Sequence, residues 1–334
     1  QSFEYATLGG FAAARSSGQA SSGYGRFDRL VLALEVATPV GTLSLGRAPA
    51  SAAGPDLRQL ILGSEGTLGV ITALTLQVRP IPRARIYEVW RFSSFSEGVS
   101  ALRTLAQDGP LPTVLRLSDE AETVLNLARP EQLARSTREG GCLAIVGYEG
   151  AAEEVAARRD AATRVLDSAG VGPDLGAGEA WERDRYRGPY LRDALLGAGA
   201  LVETIETVSF WSSLQRVYET VRTALSDSLT AQGTPPVILC HVSHVYPAGA
   251  SLYYTVGCAQ LEDPVTQWRT AKRAASDAIL QAGASISHHH GVGIDHRAWF
   301  EREVGELAVN VLRSAKAVLD PAGILNPGIL IDAR

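Results

Sequence analysis

Six histidines carry the densest concentration of proton-handling chemistry in this 334-residue sequence, and all lie toward its end: His241, His244, His288, His289, His290 and His296. Imidazole titrates near neutral pH and is the commonest side-chain metal ligand, so such groups serve as acids, bases or ligands. Three are consecutive, inside Ser285-Ile286-Ser287-His288-His289-His290-Gly291-Val292-Gly293. If that segment is extended, neighbouring side chains point to opposite faces, and at most two of the three serve one site.

A second stretch has the composition of a binding loop. Gly63-Ser64-Glu65-Gly66-Thr67-Leu68-Gly69-Val70-Ile71 leads from a helix end through a glycine-dense turn into a strand. Glycine lets the backbone approach a bound group closely and offers N–H donors to it. That suits a pyrophosphate or a flavin ring edge, although a tight structural turn is the plainer reading of any glycine-rich loop. Positive charge is almost all arginine, since lysine occurs only at Lys272 and Lys316. The planar guanidinium grips carboxylate or phosphate bidentately, which suits an anionic substrate, but compositional bias alone also gives such an excess.

Hydrophobic residues make up 46% and charged residues 20%, the profile of a soluble globular chain with room for two domains. A net charge of −5 and a pI near 5.8 argue against a nucleic-acid partner. Cys142, Cys240 and Cys258 show no CxxC spacing and no disulfide framework, so they read as small buried hydrophobes in a reducing, cytoplasmic setting. No run approaches the ~18–20 apolar residues that span a bilayer. Methionine is absent and residue 1 is Gln, from which we expect a further N-terminal portion to precede this sequence.

The elements that must position these groups follow from periodicity. Strands are expected over 29–38 and 66–78, with a turn at Gly41-Thr42 into another strand and a short helix over 56–62 behind Pro55. Pro80-Ile81-Pro82 marks a boundary. Beyond it, strands at 86–92, 142–148, 202–208 and 252–258 are each followed by a helix, at 94–106, 151–169, 211–231 and 264–282. That alternation predicts an α+β domain with helices on one face of a sheet. A single helix near 297–319 ends at Asp320-Pro321.

GSEGTLGVIT followed by RPIP resembles the FAD-binding segment of the vanillyl-alcohol-oxidase (PCMH-type) family, which includes D-lactate dehydrogenase and glycolate oxidase. The resemblance implies α+β architecture: residues 1–82 as the second half of an FAD-binding domain, 83–284 as a cap or substrate domain with a mainly antiparallel sheet, and 285–334 returning to the FAD site. It makes Ser2, Phe3, Glu4, Tyr5, Ala6, Thr7, Ala14, Arg15, Ser16, Ser17, Glu65, Gly66, Thr67, Leu68, Gly69, Val70 and Ile71 cofactor-lining. The metal-dependent hydroxy-acid dehydrogenases of the family carry HxGDGNxH- and EHGxG-like motifs. Here the GDGN element and the glutamate are missing, which disfavours a metal.

The HHHGVG run instead resembles the alkyl-dihydroxyacetonephosphate synthases, and the likeness extends along the chain through Leu115-Arg116-Leu117, Tyr190-Leu191-Arg192-Asp193 and Leu252-Tyr253-Tyr254. It implies noncovalent FAD used without net redox change, with an acyl group on dihydroxyacetone phosphate exchanged for a fatty alcohol. Tyr253 matches the acid/base tyrosine, although a core aromatic is the plain alternative. His288, His289 and His290 match the essential histidine run. Arg192 matches the phosphate-holding arginine and Arg116 another required arginine, where surface ion pairs are the default for either alone. Two departures stand out: the family's lysine after HHHGVG is Ile294, and an arginine before the tyrosine strand is His241, with Arg297 a candidate replacement. An FAD-dependent oxidase or dehydrogenase of a 2-hydroxy acid or alcohol is the alternative, and a cofactor-free binding protein a third. The phosphorylated lipid substrate implies an apolar tunnel and leaves room for peripheral membrane contact and a homodimer.

Overall fold

The computed structural model describes residues 4–127, 141–186 and 188–332. The chain divides into two compact units: residues 19–24 with 81–285, and residues through Gly18 with 25–80 and everything from Ile286 onward.

The smaller unit opens with α1 (Leu8–Ala13), whose N-cap Thr7 accepts the Gly10 N–H on its hydroxyl. After α3 (Phe27–Leu30) come β1 (Val31–Thr38), β2 (Gly41–Leu45), α4 (Arg58–Ile61) and β3 (Val70–Leu76). The three strands form an antiparallel sheet in the order β2-β1-β3. Val31, Leu34 and Val36 of β1 are buried with Ala12, Ile61, Leu62 and Leu68. Ala315 and Leu319, from the end of the chain, pack against that core. The helix expected near 297–319 is two helices, α12 (Arg297–Val304) and α13 (Glu306–Leu319). Gly305 separates them because its φ of +81° is incompatible with a continuing right-handed helix.

In the larger unit, β4 (Ala84–Phe92), β5 (Val114–Ser118), β6 (Cys142–Gly150), β7 (Val171–Asp174), β8 (Ala200–Phe210), β9 (Val237–Tyr246) and β10 (Gly249–Ala259) form one seven-stranded sheet. The order is β7-β4-β6-β5-β9-β10-β8, and its pairings are antiparallel. Between the strands run α5 (Phe95–Gln107), α6 (Glu120–Leu127), α7 (Ala152–Leu166), α8 (Leu175–Asp184), α9 (Gly188–Gly197), α10 (Trp211–Ala231) and α11 (Pro264–Gln281), while α2 (Ser21–Tyr24) joins this unit from the start of the chain. Helix starts follow local chemistry: Ser94 caps α5, and Asp263 caps α11 with Pro264 in its first turn.

Side chains alternate across the sheet, so cross-strand partners share a face. Tyr254 is fully buried on one face, where its hydroxyl donates to the carbonyl of Val217 in α10. On the other face, Ser118, His241, Tyr253 and Glu206 stand in one row across β5, β9, β10 and β8. Neither β5 nor β9 was expected from periodicity. Alternation fails to announce β9 because it is buried on both faces and carries two histidines. Among the described residues no helix is long and apolar enough to cross a membrane. Cys142, Cys240 and Cys258 are free thiols, the first two fully buried.

Candidate active site

The glycine loop is built against the start of the chain. The Gly63 and Glu65 N–H groups donate to the carbonyls of Ala12 and Ala13 at 3.2 and 3.0 Å. Arg15, at φ +49°, donates from Nε to Leu62 O at 2.8 Å and from Nη2 to Gln59 O at 2.9 Å. A Cβ at Gly63 would lie 2.9 Å from Arg15 Nε, and one at Gly69 would lie 2.2 Å from Val36 Cγ1. These two glycines therefore serve close packing inside the protein. The side chains of Arg15, Thr67 and Leu68, expected to line a cofactor, shape the loop: Thr67 donates to Ser64 O at 2.7 Å, and Leu68 is core. Burial lowers the pKa of the Arg15 guanidinium, with Asp28 opposing.

What this region presents outward is different. Glu4, Tyr5, Ala6, Thr7 and Val70 are exposed, and Ala14, Ser16, Ser17, Gly66 and Ile71 are half-buried, whereas Gly69 is buried. Ser2 and Phe3 lie outside the described residues. Small side chains together with the hydroxyls of Thr7, Ser16 and Ser17 are chemically suited to the polar edge of a flavin.

The histidine run is not extended. Residues 288–290 form a bend, and Gly291 and Gly293 follow at φ +83° and +55°. The alternation argument therefore fails: all three rings touch in sequence. His288 Nδ1 lies 3.0 Å from His289 Nδ1, and the His289 and His290 ring centroids are 4.7 Å apart. Ser287 Oγ accepts the Gly291 N–H at 3.0 Å, and His296 Nδ1 faces Gly291 O at 3.0 Å. The Glu65 carboxylate accepts N–H bonds from Val292 at 2.5 Å and Gly293 at 2.8 Å. Glu65, expected to line a cofactor, thus directs its charge at backbone. Ile294 is 65% exposed, and Arg297 is committed to Gly328 O at 2.8 Å and Asp332 at 2.5 Å. Arg297 does not restore a free positive charge.

Tyr253 belongs to a cluster within the larger unit. Its ring stacks on His241, with centroids 4.9 Å apart and planes 16° from parallel. His241 Nδ1 is 3.0 Å from Glu122 Oε2 and 3.0 Å from Arg116 Nη2, and Arg116 Nη2 is 2.5 Å from Glu122 Oε1. One ring nitrogen cannot serve both neighbours. Protonated, it donates to Glu122; unprotonated, it accepts from Arg116. Burial pushes the Glu122 carboxyl upward, but His241 and Arg116 outweigh it and hold its pKa near 2. Burial raises the Tyr253 phenol, as does Glu206, while Thr204, Arg116 and Arg192 pull it down. Arg192, on α9, pairs with Glu203 at 2.5 Å, lies 3.6 Å from Asp193, and is 40% exposed.

Arg116 and Arg192 thus act electrostatically on one phenol, that of Tyr253. Glu122, Glu206 and Thr204 escaped the sequence reading. A glutamate on a helix reads as a solvated face, and Glu122 meets His241 only across 119 residues of chain.

Residues 81–330 match the family described as FAD linked oxidases, C-terminal domain. The alkyldihydroxyacetonephosphate synthase of Dictyostelium discoideum is 35% identical over 99% of this chain and 57% of its own length. That of Trypanosoma brucei brucei is 31% identical over 99% of this chain and 57% of its own. A solved alkyldihydroxyacetonephosphate synthase superposes with a TM-score of 0.76 at 32% identity, covering 98% of this chain and 59% of that one. The chain therefore spans somewhat more than half the length of these relatives.

Proposed function

The chain belongs to the family of FAD-linked oxidases, and from that premise we propose that it is part of an alkyldihydroxyacetonephosphate synthase, exchanging the acyl group of acyl-dihydroxyacetone phosphate for a fatty alcohol. The observation that carries this reading is the half-buried Tyr253 ring stacked on His241, whose Nδ1 in turn meets Glu122 and Arg116. FAD, when bound, supplies the electron sink that loosens the acyl ester; the exposed residues of 4–7, Ser16, Ser17, Gly66 and Val70 would hold it. Tyr253 holds and moves a proton at its hydroxyl. The raised pKa keeps the phenol protonated at neutral pH, so it acts first as an acid. Arg192, half-exposed and shared with Glu203, is the guanidinium available to a substrate phosphate. Arg116 is already neutralised by Glu122, so its part is to fix His241 under the tyrosine. His288, His289 and His290 would carry protons and stabilise the departing carboxylate. A phosphorylated lipid met at a membrane surface by a cytoplasmic homodimer completes the proposal.

The test is expression of the complete gene, a visible spectrum for bound flavin, and a comparison of wild type with Tyr253→Phe. We expect the variant to keep its flavin and lose about 10²–10⁴-fold in kcat, the range for a positioned proton-transfer group. Lasting flavin reduction by a 2-hydroxy acid, with no acyl–alkyl exchange, would establish the oxidoreductase alternative instead.

A further inference from the structure

We propose that Glu65 is a positioning residue for the histidine run, its carboxylate being the anion that occupies the two N–H donors following His290. Consecutive N–H groups flanked by left-handed residues form a concave donor pair that favours negative charge. Here the pair is Val292 and Gly293, with Gly291 at φ +83° and Gly293 at +55°. Such a pair beside a triple histidine is an obvious seat for a phosphate. Both Glu65 oxygens already fill it, at 2.5 and 2.8 Å.

Several features converge on that contact. Glu65 itself has φ +52°, a region non-glycine residues occupy at a cost of about 1–2 kcal/mol. It is held there at every point: its N–H donates to Ala13 O, its carbonyl accepts from Asn326 Nδ2, and its carboxylate is chelated. Gly291 is required in turn, since a Cβ there would lie 2.5 Å from Glu65 Oε1. The glycine loop 63–71 and the bend 288–293 are thereby joined through one side chain. A shift of the loop must move the histidine backbone.

The proposal rests on the reading above only in treating the histidines as catalytic, so its experiment has one arm independent of activity. In the complete wild-type enzyme, hydrogen exchange at the Val292 and Gly293 amides is measured with flavin bound and after its removal. Equal protection in both states is expected; protection that appears only with flavin bound overturns the proposal. Glu65→Gln then leaves one N–H facing an amide NH₂, and exchange at these amides is expected to accelerate at least ~10-fold. Unchanged exchange in this variant overturns the proposal, as does loss of flavin without faster exchange. In the activity arm, Glu65→Gln is expected to lower kcat ~10–100-fold with KM within about twofold and flavin content intact. Gly291→Ala should reproduce that effect, and the double variant should be no worse than the poorer single one. Additive losses overturn the coupling. A wild type without exchange activity would sink the synthase reading, while the amide measurements still decide the role of Glu65.

Discussion

Glu122 sits between a guanidinium and an imidazole with 9% of its side chain exposed, and its charge is what both neighbours are arranged around. Its folded-state pKa, near 2, lies below the ordinary 4.5. The stabilisation it gives is therefore complete above about pH 4.5 and disappears as the pH falls toward 2. Removing one partner of a buried pair costs about 3–5 kcal/mol, because the remaining charge is stranded. Glu122→Gln should therefore be destabilised by that amount in denaturant titrations at pH 7, and the gap from wild type should narrow at pH 3. An equal gap at both pH values would mean the carboxylate's charge is not what stabilises the cluster. Tyr253, Arg116, Arg192 and the histidines were singled out in the sequence because short motifs carry them. Glu122 and the clamping role of Glu65 were not, since each depends on a partner far away in sequence and on which side of a bend a carboxylate leaves the chain.

At the scale of elements, α5 behind Ser94 and α11 behind Asp263 were read to within a few residues, whereas α6, α8 and α9 were not expected. The failures have local causes. Gly305 splits one amphipathic pattern into two helices, and β9 hides its period by being buried on both faces. Close packing is equally invisible in a pattern of apolar residues. α8 approaches β4 through Gly178, where a Cβ would lie 2.1 Å from Tyr87 O and 2.4 Å from Tyr87 C. Both are backbone atoms that cannot swing aside. Alanine is the better helix former by about 0.8–1 kcal/mol, whereas forced overpacking costs about 1–3 kcal/mol. The clash should win. Gly178→Ala is expected to lower stability by roughly 1–2 kcal/mol in chemical denaturation; a stabilised variant would show that α8 can lift off β4 without penalty.

For the molecule as a whole, the chain leaves the smaller unit at Pro80 and re-enters it at Ile286. The returning segment completes a core begun more than two hundred residues earlier. Ala315 and Leu319 pack on the β1 core, and Lys316 Nζ, itself buried, donates to Thr67 O at 2.9 Å, Leu325 O at 2.5 Å and Asp320 at 2.5 Å. Burial pushes the Asp320 carboxyl upward, but Lys316 and the N–H groups of Leu325 and Ile324 outweigh it and hold it below its usual carboxylate range. All strands of the seven-stranded sheet lie between Ala84 and Ala259. A chain ending at Ser285 should therefore split in its behaviour. Amides of β9 and β10 should keep their exchange protection and unfold cooperatively. Those of β1, stripped of the α13 packing and the lysine anchor on the glycine loop, should exchange as fast as an unstructured chain. If β1 stayed protected in that truncation, the glycine loop would owe its shape to residues 4–80 alone, and the helices after Ile286 could not be what holds it in place.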